Sequence, residues 1–315
     1  MFALGLAAVL PLGAGDLRAR PHPARSFDDA VARARGLIAS DDSVVAEGGA
    51  SILRVHSKKA PRAVLLFHGF TNSPRQFADL GDALFSSGDN VFIPRLPRHA
   101  VRGASVSDLA GLTAAELCRT ADNAVDIATG LGDTVVVVGL SVGATLALWA
   151  AEQRAEVRRA VVIAPPFEVG TVPSILERPM INIGARVPNV SRRAASDTAR
   201  PDRLPGFTTH ALAQVLRLGI AVRADVGRAS WSSPDVSFVV NAHDHTVKGA
   251  AIVDVARAWQ RRGAPAMSYE IPDSLDLPHN VLDPVGDHPG VALIRPLLVA
   301  LTHADRAPTW LSTSR

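Results

Sequence analysis

Residues Thr134–Ala151 read TVVVVGLSVGATLALWAA, and the reading of this stretch decides the fold. The four consecutive valines, Val135–Val138, form an apolar run without alternation, the pattern of a strand buried on both faces. A Gly-x-Ser-x-Gly pentapeptide, Gly139–Gly143, follows, and Val142–Arg154 then has the small and apolar residues of a packed helix. A strand that turns sharply into a helix lifts one side chain out of the bend. Gly139 and Gly143 leave room for that turn, so the Ser141 hydroxyl is expected at the carboxyl end of a sheet, beside the positive end of a helix. Ser141 is therefore the candidate nucleophile, and an ordinary serine in a tight turn is the simpler rival reading.

Outward from this stretch, strands and helices alternate. Toward the amino end, Ser26–Ala39 has helical spacing, Ser51–His56 alternates as a strand, and Ala63–His68 is an apolar run ending at a glycine. Arg75–Ser87 is an amphipathic helix closed by Gly88, Val91–Leu96 a strand, and Thr113–Leu131 a helix opening on TAAE, a capping box. Thr134–Gly139 and Val161–Ala164 are strands around the helix Val142–Arg154. Further on come the helix Thr209–Arg223, the strand Val236–Ala242, the helix Val247–Arg262, the strand Met267–Ile271 and the helix Val291–His303. Such alternation predicts an α/β fold, a mostly parallel central sheet with helices on both faces. The rhythm breaks between Pro165 and Pro234, so residues 166–205 are expected to form a small inserted cap.

A serine hydroxyl at neutral pH needs a base, and the base needs an orienting acid. Asp244, in SFVVNAHDHTV just past a strand, faces the ligand end and is the acid candidate; Asp235 precedes that strand and belongs at the opposite end. The base is sought in the loop after the last strand, where His279 in LDLPHNVLDP is favoured over His288 in GDHPG. His210 and His303 fall within helices. For the negative charge that develops in acyl transfer, the amides of Val142 and Phe70 are the expected donors, Gly69 letting the chain approach closely.

The 315 residues, 47% hydrophobic and 20% charged, describe a globular chain with a large core. The formal charge of +3 is spread over scattered arginines, so no nucleic-acid partner is expected. The single cysteine, Cys118, excludes an intrachain disulfide and lies in a helix as a small core residue. No Cys/His set has zinc-site spacing, and His243 and His245 alternate around Asp244 without another nearby carboxylate, so no metal is expected. The apolar run Phe2–Gly15 has the length of a signal peptide but lacks a basic leader. Residues 1–25 are thus expected to be a signal-like or anchoring segment with Arg18–Arg25 as its linker, and residues 26–315 the folded domain. Export or membrane association through the N-terminus follows from that reading; a buried terminal helix in a cytoplasmic protein is the alternative.

The segments LLFHGFTNSPRQF, VFIPRLPRHA, VVGLSVGATLALW, VVNAHDHTV and LPHNV together resemble the α/β-hydrolase superfamily, most closely its bacterial carboxylesterase and monoacylglycerol-lipase-like branch. The resemblance covers roughly Leu53–His303. It implies a triad of Ser141, Asp244 and His279, an oxyanion hole at Phe70 and Val142, a cap after the strand ending near Ala164, no cofactor, and a small ester substrate with an apolar part. A peptidase or amidase of the same fold and a non-catalytic small-molecule binder are the alternatives. Two departures stand out: RLPRHA carries Arg98 and Ala100 where many relatives have glycines, and GLSVG places a valine beside Ser141.

Overall fold

Among the described residues, eight strands form one sheet, in the order β1-β3-β2-β4-β5-β8-β9-β10. In the computed structural model, which describes residues 13–103, 105–170, 172–193, 201–226, 234–282, 290–305 and 310–314, these are β1 (Ile52–Arg54), β2 (Ala60–Phe67), β3 (Asn90–Ile93), β4 (Gly132–Leu140), β5 (Val157–Ile163), β8 (Asp235–Asn241), β9 (Ala266–Ile271) and β10 (Ser312–Ser314). The six inner strands run parallel, and β1 and β10 close the edges antiparallel. The valine run of β4 lies between β2 and β5 with Val136–Val138 at most 1% exposed, as a strand covered on both faces requires.

Helices flank the sheet: α1 (Phe27–Asp42), α2 (Ala78–Ser86), α3 (Ala114–Leu131), α4 (Val142–Gln153), α5 (Ser174–Gly184), α6 (Thr209–Asp225), α7 (Gly249–Gln260) and α8 (Val291–His303). α2 packs with α8, whereas α4 packs with α3 and α6. Thr113 and Glu116 form the expected capping box, each side chain accepting the other's backbone N–H. β5 starts at Val157, four residues before the apolar run suggests. Arg158 and Arg159 hide that start: the strand leaves the core there, and Arg159 pairs with Asp235, its neighbour in register on β8.

Between β5 and β8 the chain forms α5, then the antiparallel pair β6 (Ser191–Arg193) and β7 (Gly206–Thr208), and returns through α6. Ile175, Leu176 and Met180 on α5 are exposed apolar side chains. The stretch Arg18–Arg25, expected as a linker, is bonded along α3. The Arg20 N–H donates to Asp122 (2.7 Å), the His22 N–H to Asp126 (2.9 Å), and the Trp149 indole to the Leu17 carbonyl (2.7 Å). Asp122 and Asp126 also hold the buried Arg154 guanidinium, so one charged cluster serves both. Residues 1–12 lie outside the described residues, and among the described residues no helix is long and apolar enough to cross a membrane.

One buried carboxyl works against this framework. Glu152, in the last turn of α4, is 1% exposed and neither of its oxygens has a hydrogen-bond partner. Burial, then repulsion from Asp225, pushes its pKa well above the carboxylate range, against the opposing pull of Arg262. As pH rises through the ordinary glutamate range, the unfolded chain loses this proton while the folded chain keeps it. Stability therefore falls with rising pH until the folded group also ionises. Glu152→Met should accordingly stabilise the fold by about 1–3 kcal/mol at pH 8, with a smaller gain at pH 4, measured by denaturant unfolding at both pH values.

Candidate active site

Ser141 occupies the bend between β4 and α4 with φ 57° and ψ −120°, a left-handed conformation costly for a residue with a Cβ. The bend is held from both sides. The Ser141 N–H donates to the Ile163 carbonyl of β5 (2.9 Å), and the Ser141 carbonyl accepts the Thr145 N–H (3.1 Å). The two motif glycines are a matter of contact rather than of dihedral freedom. A Cβ at Gly139 would collide with the backbone of Gly143, and one at Gly143 with the carbonyl of Phe67. Strand and helix approach this closely only without those carbons.

The chain beyond β8 turns at once: the Asp244 N–H donates to the Asn241 carbonyl (3.1 Å), leaving Asp244 at the carboxyl end of the sheet. His279 comes from the loop after β9. Its Nδ1–H donates to Asp244 Oδ2 (2.6 Å) and its Nε2 accepts the Ser141 hydroxyl (3.0 Å). The structure thus brings the three residues into one hydrogen-bonded chain. Asp244 Oδ1 accepts the N–H groups of Thr246 (2.8 Å) and Val247 (3.4 Å). Burial pushes the Asp244 carboxyl up, but the His279 hydrogen bond and charge and these two amides outweigh it, holding the group below its ordinary range. Asp244 therefore stays ionised and keeps the Nδ1–H tautomer of His279. Of the other histidines, His303 pairs with Asp89 (2.6 Å) and His210 lies against the Val187 carbonyl (2.6 Å). Asp235 sits at the opposite sheet end with Arg159, and His288 lies outside the described residues. His243 contacts two carboxylates, Asp273 (2.9 Å) and Asp276 (2.8 Å).

Val142 opens α4, and Phe70 follows Gly69 beyond β2, so both residues lie at the carboxyl end of the sheet. Among the described residues, neither amide has an intramolecular acceptor. The peptide plane between Gly69 and Phe70 is fixed by its oxygen, which accepts His68 Nδ1–H (2.9 Å) and the Asn72 N–H (3.1 Å). A peptide N–H points away from its own C=O, so anchoring that oxygen aims the Phe70 N–H to the other side. His68 Nε2 accepts the Leu96 N–H (3.0 Å), and burial keeps the ring neutral by lowering its pKa, with His99 and Arg95 adding to the effect.

The loop Arg95–Ala100 explains one departure noted in the sequence. Arg98 (φ 65°) and Ala100 (φ 55°) adopt left-handed conformations without being glycines, at a cost of about 1 kcal/mol each. Arg98 donates to Glu116 (3.1 Å), and His99 is fully buried against Phe70 and His68, its pKa pushed by burial down to about 4. The glycine-like path survives on contacts. Cys118 is buried, and burial raises its thiol pKa, so it is a protonated core residue.

Several side chains that shape this site carry no sequence signal. Asn241 Nδ2 donates to the carbonyls of Leu277 (2.8 Å) and Pro278 (3.2 Å), fastening the His279 loop to the end of β8. Gln76 joins the Gly69 amide to Asn280.

A family model described as the alpha/beta hydrolase family matches residues 64–312. The chain belongs to the alpha/beta hydrolase family. Within it, the chain is 26% identical over 196 residues to a thermostable monoacylglycerol lipase of Bacillus sp. (strain H-257), covering 61% of this chain and 74% of that protein. Two solved structures share the fold. One, described with the metagenome-derived lipolytic enzymes LipS and LipT, gives a TM-score of 0.63 at 18% identity over 82% of this chain and 99% of that one. A soluble variant of the Saccharomyces cerevisiae monoglyceride lipase gives 0.62 at 13% identity over 82% and 94%. The matched residues take in β3, β4, β5, β8, β9 and the second half of β2, together with both loops that carry Asp244 and His279, and leave out the edge strand β1.

Proposed function

We propose that the protein is a serine hydrolase that cleaves carboxylic esters through an acyl-enzyme. The observation that carries this reading is the hydrogen-bonded chain from the Ser141 hydroxyl through His279 to Asp244. Ser141 Oγ attacks the ester carbonyl as His279 Nε2 takes its proton, and the oxyanion forms against the Phe70 and Val142 amides. The C–O bond to the alcohol then breaks, His279 returning the proton to the departing oxygen. A water, deprotonated by the same nitrogen, attacks the acyl-serine and releases the acid. Asp244 remains ionised throughout and holds the ring.

A lipid-like ester is the substrate class this reading favours. It is supported by the monoacylglycerol lipase relative and by the apolar residues of α5, within the stretch 166–205 that we read as a cap over the site. The test is a fluorophosphonate probe followed by p-nitrophenyl esters from acetate to palmitate beside aminoacyl anilides. The expected result is labelling at Ser141 and turnover of esters, with kcat/KM rising toward the longer acyl chains. Turnover of anilides alone would replace the ester assignment with an amidase, and an unlabelled folded protein would remove the nucleophile altogether.

A further inference from the structure

The loop carrying Phe70 and the loop carrying His279 are bridged by a single side chain. Gln76 lies in the short turn Pro74–Phe77 and is 6% exposed. Its Oε1 accepts the Gly69 N–H (2.7 Å), and its Nε2 donates to Asn280 Oδ1 (2.6 Å), across 204 positions of sequence. The sense of this relay is dictated by chemistry. A backbone N–H can only donate, so the Gln76 atom facing Gly69 is the oxygen, its NH2 faces Asn280, and Asn280 must answer with its own oxygen. That requirement leaves Asn280 Nδ2 buried without a partner, a cost accepted to keep the relay in one direction. The contact is close as well as polar: a Cβ on Gly69 would lie 3.5 Å from Gln76 Oε1, so the amide rests directly against the glycine.

Both ends of the relay abut reacting groups. Gly69 precedes Phe70, and its carbonyl is already anchored by His68 and Asn72, so Gln76 fixes the remaining polar group of that residue. Asn280 follows His279, whose loop is held from the other side by Asn241. We infer that Gln76 is a positioning residue that sets the distance between the oxyanion donor at Phe70 and the base at His279. This rests on the acyl-enzyme reading above. The transition state needs the proton transfer and the oxyanion bond at the same moment, and only a shared tether keeps two separate loops in step.

The test combines steady-state kinetics on a p-nitrophenyl ester with exchange of the Gly69 amide followed by NMR. Gln76→Ala should lower kcat about 30-fold with KM within about twofold, and Gly69 should exchange about 10-fold faster than in the wild type. Conservative changes give a sharper outcome that survives a poorly folded alanine variant. In Gln76→Glu, Asn280 turns its amide and donates to the new carboxylate; in Asn280→Asp, Gln76 still donates. Each should cost about threefold in kcat or less. Gln76→Glu/Asn280→Asp sets two carboxylates face to face, with a donor between them only while one holds a proton, so it should lose about 100-fold in kcat at pH 9 and less as the pH falls. The inference is overturned if the double variant at pH 9 loses only the product of its single losses, or if Gln76→Ala keeps wild-type kcat and Gly69 exchange. A wild-type protein that neither labels nor hydrolyses esters defeats the proposed function instead, while the Gly69 exchange still decides whether the tether exists.

Discussion

Ser141→Ala should lower kcat on p-nitrophenyl esters by about 10^6-fold, abolish fluorophosphonate labelling, and leave KM within about threefold. The loss is large because, among the described residues, no other nucleophile adjoins His279 Nε2, and the Cys118 thiol is buried and held protonated by burial. The fold should be untouched. The strained backbone at φ 57° is held by main-chain bonds to Ile163 and Thr145, and alanine and serine both carry a Cβ, so neither bears more strain there. Only the hydroxyl's bond to His279 disappears. A melting temperature within a few degrees of wild type makes the kinetic loss chemical, and a labelled alanine variant would place the nucleophile elsewhere.

The sheet and its order of elements were legible because β4 announces itself. A valine run buried on both faces cannot be an edge strand, and the glycines around Ser141 report a backbone contact that no Cβ survives. That Ser141, Asp244 and His279 come together was legible because each follows a recognisable strand end or sits in a loop with few rivals. The start of β5 was hidden because two arginines follow its buried first residue, Val157: Arg158 is exposed, and Arg159 pairs in register with Asp235. The supporting polar residues were illegible for a different reason. Gln76, Asn241 and Asn280 act through partners up to 204 positions away, and an amide in a turn looks the same in sequence whether it faces water or a backbone N–H. Arg98 and Ala100 show the limit of reading glycines as conformational markers. The left-handed path persists without them because the fully buried His99 between them is wedged against Phe70 and His68.

Asp244→Asn should cost about 10^4-fold in kcat, and the geometry says why asparagine is a poor substitute for aspartate here. Asp244 Oδ1 accepts two backbone N–H groups, from Thr246 and Val247, so in the variant the amide oxygen must occupy that place. The NH2 is then left facing His279 Nδ1, where the wild type presents an acceptor. A ring nitrogen that receives a proton from the amide cannot carry its own, so the proton moves to Nε2 and points at Ser141. The base is blocked by its own tautomer while the three side chains keep their places. Asp244→Ala removes the acceptor without supplying a donor, and a water in the vacated space leaves the ring free to keep its Nδ1 proton. Alanine should therefore retain about 10-fold more activity than asparagine at neutral pH, measured as kcat on the same ester. If the carboxylate acted through its charge alone, the two variants would lose equally, and the tautomer argument would fall.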